Sequence, residues 1–242
     1  TAPLAAQAPG QAPGTDGRTR DIYVSVVDGK GAAVTGLTAK EFTVREDGVA
    51  REVLRAVSAT APIDLVLLVD DSQSATNAIP YLRDGLARFA QRLKGRAAIG
   101  LVTFGERPTS VTERTTDTAV LEKGIKRIFA RPGSGAYLLD GLIEVSRGFQ
   151  KRDVQRPVIV AIATEGVEFS NAQYQRVLDE LYASGATLHV LAIGSPSGSQ
   201  SDEIRNKNMT VAEGTEATGG RREQLLTELA IPDALSKLAD EL

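Results

Sequence analysis

The spacing of hydrophobic and polar positions changes several times along the chain, and the changes divide it. Residues 1–20 are rich in Ala, Gly and Pro, carry no aromatic and show no periodicity, which reads as a flexible leader. From Asp21 the period becomes two: Ile22, Val24 and Val26 fall on one face and Tyr23 and Ser25 on the other, predicting a half-buried strand. Asp28-Gly29-Lys30-Gly31 then predicts a turn, and Thr38-Ala39-Lys40-Glu41 has the spacing of a capping box on a short helical turn. An alternating segment at Phe42 and Val44, the turn Glu46-Asp47-Gly48 and a strand through Val53 to Val57 complete a small β unit over residues 21–61. With so few large apolar residues this unit is marginal alone, so it is expected to lean on the remainder of the chain.

After Pro62 buried strands alternate with amphipathic helices. The strand Leu65 to Val69 precedes a stripe at Leu82, Leu86, Phe89, Ala90 and Leu93, the spacing of one core-facing helix surface. A strand from Ala98 to Phe104 and a weaker one around Ser110 to Arg114 come next. Helical stripes recur at Leu121, Ile125, Ile128 and Phe129, then at Leu138, Leu142, Val145 and Phe149. Val158 to Ala163 and Leu188 to Ile193 are short continuous apolar runs, as expected for parallel strands covered on both faces, with a helix at Val177, Leu178, Leu181 and Tyr182 between them. Ser195 to Asn208 reads as a polar loop, leading to a helical region with Leu225, Leu226 and Leu229, then Leu235, Leu238 and Leu242 after Pro232. The expected fold class for residues 62–242 is α/β: a doubly wound, mainly parallel sheet flanked by helices, without internal repeats.

Composition narrows the chemistry. The 242 residues include no Cys and one His, so thiol nucleophiles, disulfides, Cys-ligated zinc and multi-histidine metal sites are excluded. His189 lies within the apolar run Thr187-Leu188-His189-Val190-Leu191, where a packed or edge residue is expected rather than a catalytic base. With 28 basic and 31 acidic residues the net charge is -3, and there is no nucleic-acid bias. Arg83, Arg88, Arg92, Lys94 and Arg96 form a basic stretch, but Asp84 interrupts it and no aromatics interleave, so a solvated helix face is expected. No apolar run approaches the roughly 18 to 20 residues needed to span a bilayer.

In open parallel sheets, ligands bind beyond the carboxyl ends of the strands. Three such loops stand out: Asp70-Asp71-Ser72-Gln73-Ser74, Pro132-Gly133-Ser134-Gly135-Ala136 and Thr164-Glu165-Gly166-Val167-Glu168. Asp70, Ser72 and Ser74 at i, i+2 and i+4 place one carboxylate and two hydroxyls on a single loop, hard oxygen donors suited to Mg²⁺ or Mn²⁺. The alternative is an Asx or Ser turn capping the next helix.

The run LVLLVDDSQS, the Gly-Ser-Gly turn opening a helix and the later VIVAIATEG together resemble the von Willebrand factor type A domain with its metal-ion-dependent adhesion site. Upstream VTGLTAKEFTVREDG and the later ATGGR resemble a bacterial group of such proteins in which a β unit precedes the domain. The resemblance implies that the Asp and two Ser of the first loop, a Thr of the second and an Asp of the third surround a divalent cation. A carboxylate from a bound partner then completes the octahedron. Asp70, Ser72 and Ser74 match, whereas Ala136 stands at the Thr position and Glu165 replaces the Asp with a longer acid. Ser134, two residues before Ala136, offers a substitute hydroxyl only if the turn is re-routed. The metal set implied is thus Asp70, Ser72, Ser74 and Glu165, weakened by a missing hydroxyl, since Mg²⁺ demands near-ideal octahedral geometry. Asp71, Gly135, Tyr137 and Glu168 are the expected partner-contacting residues around it.

Two enzymatic alternatives share the VLLVDD segment. A phosphoacceptor receiver domain needs a further Asp after its third strand and a Lys after its fifth, but Asp117 lies in a polar stretch and Ile193-Gly194-Ser195-Pro196 has no Lys. A phosphatase of the haloacid dehalogenase type needs a second Asp where Ser72 stands. The sequence thus favours a non-catalytic protein-binding or adhesion module using the sheet-edge loops, with a cation bridged to a partner's Asp or Glu. A metal-independent structural or interaction domain is the alternative. Leaders like residues 1–20 occur after removed export signals, though a boundary of other origin fits equally; with the resemblance, the expected location is secreted, periplasmic or extracellular.

Overall fold

The computed structural model describes residues 19–29, 34–152, 154–195 and 201–242. Apart from Thr19 and Arg20, the expected leader lies outside the described residues, as do Lys30 and Gly31 of the first turn.

The first part of the chain forms less regular structure than its alternation predicts. Residues 21–26 form no strand, and Ile22 and Val24 are exposed where a half-buried face was expected. The capping box forms: the Thr38 backbone N–H donates to Glu41 Oε2 at 2.6 Å, closing a single 3₁₀ turn at Ala39–Glu41. A short hairpin comes next, β1 (Val44–Glu46) paired antiparallel with β2 (Val49–Arg51). Asp47 and Gly48 both have positive φ, at 51° and 78°, as a two-residue hairpin turn requires. The second strand therefore comes before Val53 to Val57, the segment expected to supply it, which forms no strand.

The rest is a six-stranded sheet in the order β5-β4-β3-β6-β7-β8, built from β3 (Ile63–Val69), β4 (Ala97–Thr103), β5 (Thr109–Thr115), β6 (Pro157–Thr164), β7 (Thr187–Ile193) and β8 (Arg222–Leu225). All pairings are parallel except β4 with β5. Every residue of β3 and β6 is buried, which explains why they read as unbroken apolar runs. Their alternation separates two cores. Leu65, Leu67 and Val69 meet helices α1 (Ile79–Arg92), α2 (Thr118–Ile125) and α6 (Ile231–Glu241) on one face. Val66, Leu68, Ile159 and Ala161 meet α3 (Leu138–Gln150) and α4 (Tyr174–Ser184) on the other.

Two expectations near the C-terminus need correction. The segment read as a polar loop holds helix α5 (Asp202–Ala217), started by the Ser201 hydroxyl accepting from the Ile204 N–H at 3.3 Å. Leu225 ends strand β8 instead of opening a helix, leaving Leu226 and Leu229 exposed before α6. Phe129, placed in a helical stripe by spacing, likewise lies beyond α2, with the Arg83 guanidinium over its ring at 4.3 Å.

Candidate loop site at the sheet edge

From β3 the chain moves to β4 on one side, whereas β6 and β7 lie on the other, so β3 and β6 flank the point where the winding reverses. Loops after such neighbouring strands diverge and leave a crevice. The first and third candidate loops are those two.

The first loop leaves β3 at Asp70, which is fully buried. Its Oδ1 accepts from the Ser72 N–H at 2.8 Å, forming an Asx turn. Its Oδ2 accepts from Thr164 N–H at 3.0 Å and Thr164 Oγ1 at 2.5 Å, so this carboxylate fastens the end of β3 to the end of β6. Asp71 turns inward and holds two other segments: its Oδ1 accepts from the Gly105 N–H at 2.6 Å, and its Oδ2 pairs with Arg131 at 2.8 Å. It is buried and so engaged within the fold at a position expected to contact a partner. Ser72 is buried, and its Oγ has no hydrogen-bond partner among the described residues. Ser74 is exposed and packs against Gly166, where a Cβ would overlap its hydroxyl, so the first and third loops touch there.

The second loop lies across both. The Gly133 N–H donates to Gln73 Oε1 at 2.7 Å, and the Gln73 N–H donates to the Ser134 carbonyl at 3.4 Å. Ser134 Oγ donates to the Arg131 carbonyl at 2.8 Å, so the expected substitute hydroxyl is spent inside its own turn. Ala136 is buried; its N–H donates to the Val167 carbonyl at 2.9 Å and its carbonyl accepts from the Phe169 N–H at 2.8 Å. Gly135 is required here, because the Phe169 ring occupies the space a Cβ would fill. Phe169 and Tyr137 are tilted ring neighbours at 6.0 Å, and Val167 and Phe169 are 57% and 47% exposed.

Two acids of the third loop take different roles. Glu165, anchored by its N–H to the Ile193 carbonyl at 2.8 Å, meets Lys207 Nζ of α5 at 3.3 Å. Glu168 is buried; its Oε1 accepts weakly from the Ser170 N–H at 3.3 Å, and its Oε2 has no hydrogen-bond partner among the described residues. Burial pushes this carboxyl up to about 7, opposed by the Ser170 contacts and the Lys207 charge. Burial also raises Asp140 in the first turn of α3, opposed by Arg176 and by Ser170.

These residues fit a divalent cation poorly. Ser72 Oγ is a free donor and Ser74 is accessible, but both Asp70 oxygens already accept protein hydrogen bonds. The second loop supplies no hydroxyl at Ala136, and the charge of Glu165 is already met by Lys207. Among the described residues no group of three or more His, Asp or Glu side chains is arranged to hold a metal. Asp117, the receiver-type candidate, caps α2 by accepting from the Ala119 N–H at 2.8 Å. Because β5 runs antiparallel to β4, Asp117 emerges at the opposite end of the sheet from Asp70.

Sequence reasoning missed Thr164 as the partner of Asp70, the apolar rim of Val167 and Phe169, and Lys207. A signal for Lys207 existed: Ser201 before Asp202 and Glu203 marks a helix start, and Ile204, Lys207 and Val211 fall on one face.

Residues 65–166 match the family model of the von Willebrand factor type A domain. Among solved structures, the chain is similar to the von Willebrand factor type A protein from Catenulispora acidiphila, at 14% identity and a TM-score of 0.61, covering 77% of this chain and 43% of that one. It is similar to BatB from Bacteroides thetaiotaomicron, at 12% identity and a TM-score of 0.56, covering 74% and 98%. It is also similar to the pilus adhesin SpaC from Lactobacillus rhamnosus GG, at 15% identity and a TM-score of 0.57, covering 75% and 30%. This chain thus spans less than half the length of the Catenulispora protein. No curated protein matches it. The matched segment runs from β3 through the Asp70 loop to the Gly166 loop, and the six-stranded sheet with its flanking helices has the fold of the von Willebrand factor type A structures it is similar to.

Proposed function

We propose that this domain is a non-catalytic protein-binding module, of the adhesion or assembly kind, and that it takes its partner on the loop face at the carboxyl ends of β3 and β6. The observation that carries the reading is the exposed apolar rim of Val167 and Phe169, beside the half-buried Tyr137, tied by backbone hydrogen bonds to Ala136 of the second loop, which Gly133 in turn joins to Gln73 of the first. Large apolar side chains held on a rigid base, rimmed by polar groups, are the usual marks of a protein contact. The likeness to a pilus adhesin supports the same reading, as does the match to the von Willebrand factor type A model. A secreted, periplasmic or surface location goes with it; no helix among the described residues is long and apolar enough to cross a membrane.

Affinity capture of proteins from the source organism, quantified by mass spectrometry, tests the reading. A Val167→Ser/Phe169→Ser variant should lose most of the partner that the wild-type chain enriches, while Leu226→Ser/Leu229→Ser retains it. Undiminished capture by the loop variant, with loss in the second, would move the contact to the exposed segment before α6 and refute the loop-face reading.

A further inference from the structure

The cation that would organise this loop site is replaced, we infer, by the ammonium group of Lys207, which makes the site independent of divalent metal. The inference deepens the loop-face reading and rests on it only for its consequence in binding.

Lys207 and Glu165 are both nearly covered, with side chains 9% and 12% exposed, and lie 3.3 Å apart. Lys207 projects from the buried face of α5, between Ile204 and Val211, so the amine is held by the fold of a helix rather than by a mobile tail. Glu165 is fixed from behind by the hydrogen bond of its N–H to the end of β7. The third-loop acid, where the adhesion site would use a negative charge for its ion, is therefore neutralised from within the chain. The field of the same ammonium reaches Glu168, drawing that carboxyl down against its burial.

The other loops have adapted in the same sense. Ala136 offers no hydroxyl and spends both backbone groups on Val167 and Phe169. Ser134 is turned to Arg131, and Asp70 is bonded to Ser72 and Thr164. The three loops are thus connected to one another without an ion. To recruit Glu165, a divalent ion would have to detach it from Lys207 and leave a covered ammonium without its counter-ion, which is strongly unfavourable.

Calorimetric titration of the full chain with Mg²⁺ and with Mn²⁺ is the direct test. The wild type should give flat isotherms up to millimolar metal, and its melting temperature should be the same in EDTA and in Mg²⁺. Saturable sub-millimolar binding that Asp70→Ala abolishes would overturn the inference. Lys207→Met should lower the melting temperature by about 5 to 10 °C in EDTA, and millimolar Mg²⁺ or Mn²⁺ should recover part of that loss by pairing with the freed Glu165. A melting temperature unaltered by the substitution would also overturn it, because the pair would then not be holding the loop. Should Lys207→Met fail to fold, the wild-type titration still decides. Capture experiments separate this inference from the functional reading: a partner lost on adding EDTA sinks the built-in cation but leaves the loop face standing. Capture indifferent to the Val167 and Phe169 substitutions does the reverse, since the titration does not depend on it.

Discussion

Glu168 and His189 are both buried, and burial shifts them in opposite directions along the pH scale. Glu168 is pushed up to about 7, so the folded state holds its proton at a pH where the unfolded chain, near 4.5, has released it. Its contribution is fully present below pH 4.5 and is lost as pH rises toward 7, a change of about 3 kcal/mol. His189 on β7, whose Nδ1 has no hydrogen-bond partner among the described residues, is pushed down to about 4 by burial and secondarily by Arg221. Its contribution is fully present above pH 6.5 and lost as pH falls toward 4, by a similar amount of about 3 kcal/mol. Between pH 4.5 and 6.5 the two slopes nearly cancel. Glu168→Gln removes only one of them, so the variant should be more stable than wild type at pH 7.5 by about 3 kcal/mol and equal to it near pH 4.5. Urea unfolding of both proteins at the two pH values measures this, and a pH-independent difference would mean that the Glu168 carboxyl is not shifted. The residues themselves were unevenly legible. The spacing of Asp70, Ser72 and Ser74 announced a loop of hard oxygens, and the Asx-turn alternative has its hydrogen bond, since Asp70 accepts from the Ser72 N–H. Thr164 was illegible as a site residue and Lys207 was legible only as a position on a helix face, because their roles arise from which strand ends and helix faces adjoin, and a linear spacing does not contain that.

At the scale of elements, the strands with the strongest readings were those buried on both faces. Every position of β3 and β6 is apolar or tightly bonded because helices cover the sheet from both sides, so the sequence there has a single interpretation. Edge elements lack that redundancy. Leu225, Leu226 and Leu229 match a helical stripe by spacing, yet only Leu225 is buried, and it ends β8 by pairing with Ile193 at the end of β7. Tertiary pairing overrode local pattern there, as it did for α5, whose polar surface hid a narrow buried face. The distinction predicts stability. Leu235 of α6 is fully buried in the core shared with α1 and the β3 face, so Leu235→Ala should cost about 2 to 5 kcal/mol and lower the melting temperature by roughly 5 to 15 °C. Leu229 is 68% exposed, and Leu229→Ala should stay within about 0.5 kcal/mol of wild type. Differential scanning calorimetry of the two variants separates a packed helix position from one that merely shares its spacing; equal losses would place Leu229 in the core.

The whole molecule divides by burial. Among the described residues from 19 to 62 none is buried, and Ile22, Val24, Leu54 and Val57 are 62% to 74% exposed. What holds this segment is mostly polar and solvent-facing: Arg20 and Arg51 with Glu46, Arg55 with Asp21, and the short hairpin. Exposed ion pairs of this kind contribute about 1 kcal/mol or less each. One link to the sheet unit among the described residues is the Arg156 guanidinium over the Tyr23 ring at 5.5 Å, an interaction of about 0.5 to 1 kcal/mol at an exposed site. The sheet, by contrast, carries an apolar core on each face and derives neither from the segment before it. Deleting residues 1–58 should therefore shift the melting temperature of the sheet unit by no more than about 3 °C, because no described residue it removes is buried or belongs to either core. Limited proteolysis should cut first between residues 21 and 60 and leave a resistant fragment beginning near Ile63. A fall of 10 °C or more on deletion would mean that Ile22, Val24, Leu54 and Val57 cover apolar surface of the sheet unit. Unchanged stability with reduced self-association would instead assign those four side chains to contacts between molecules.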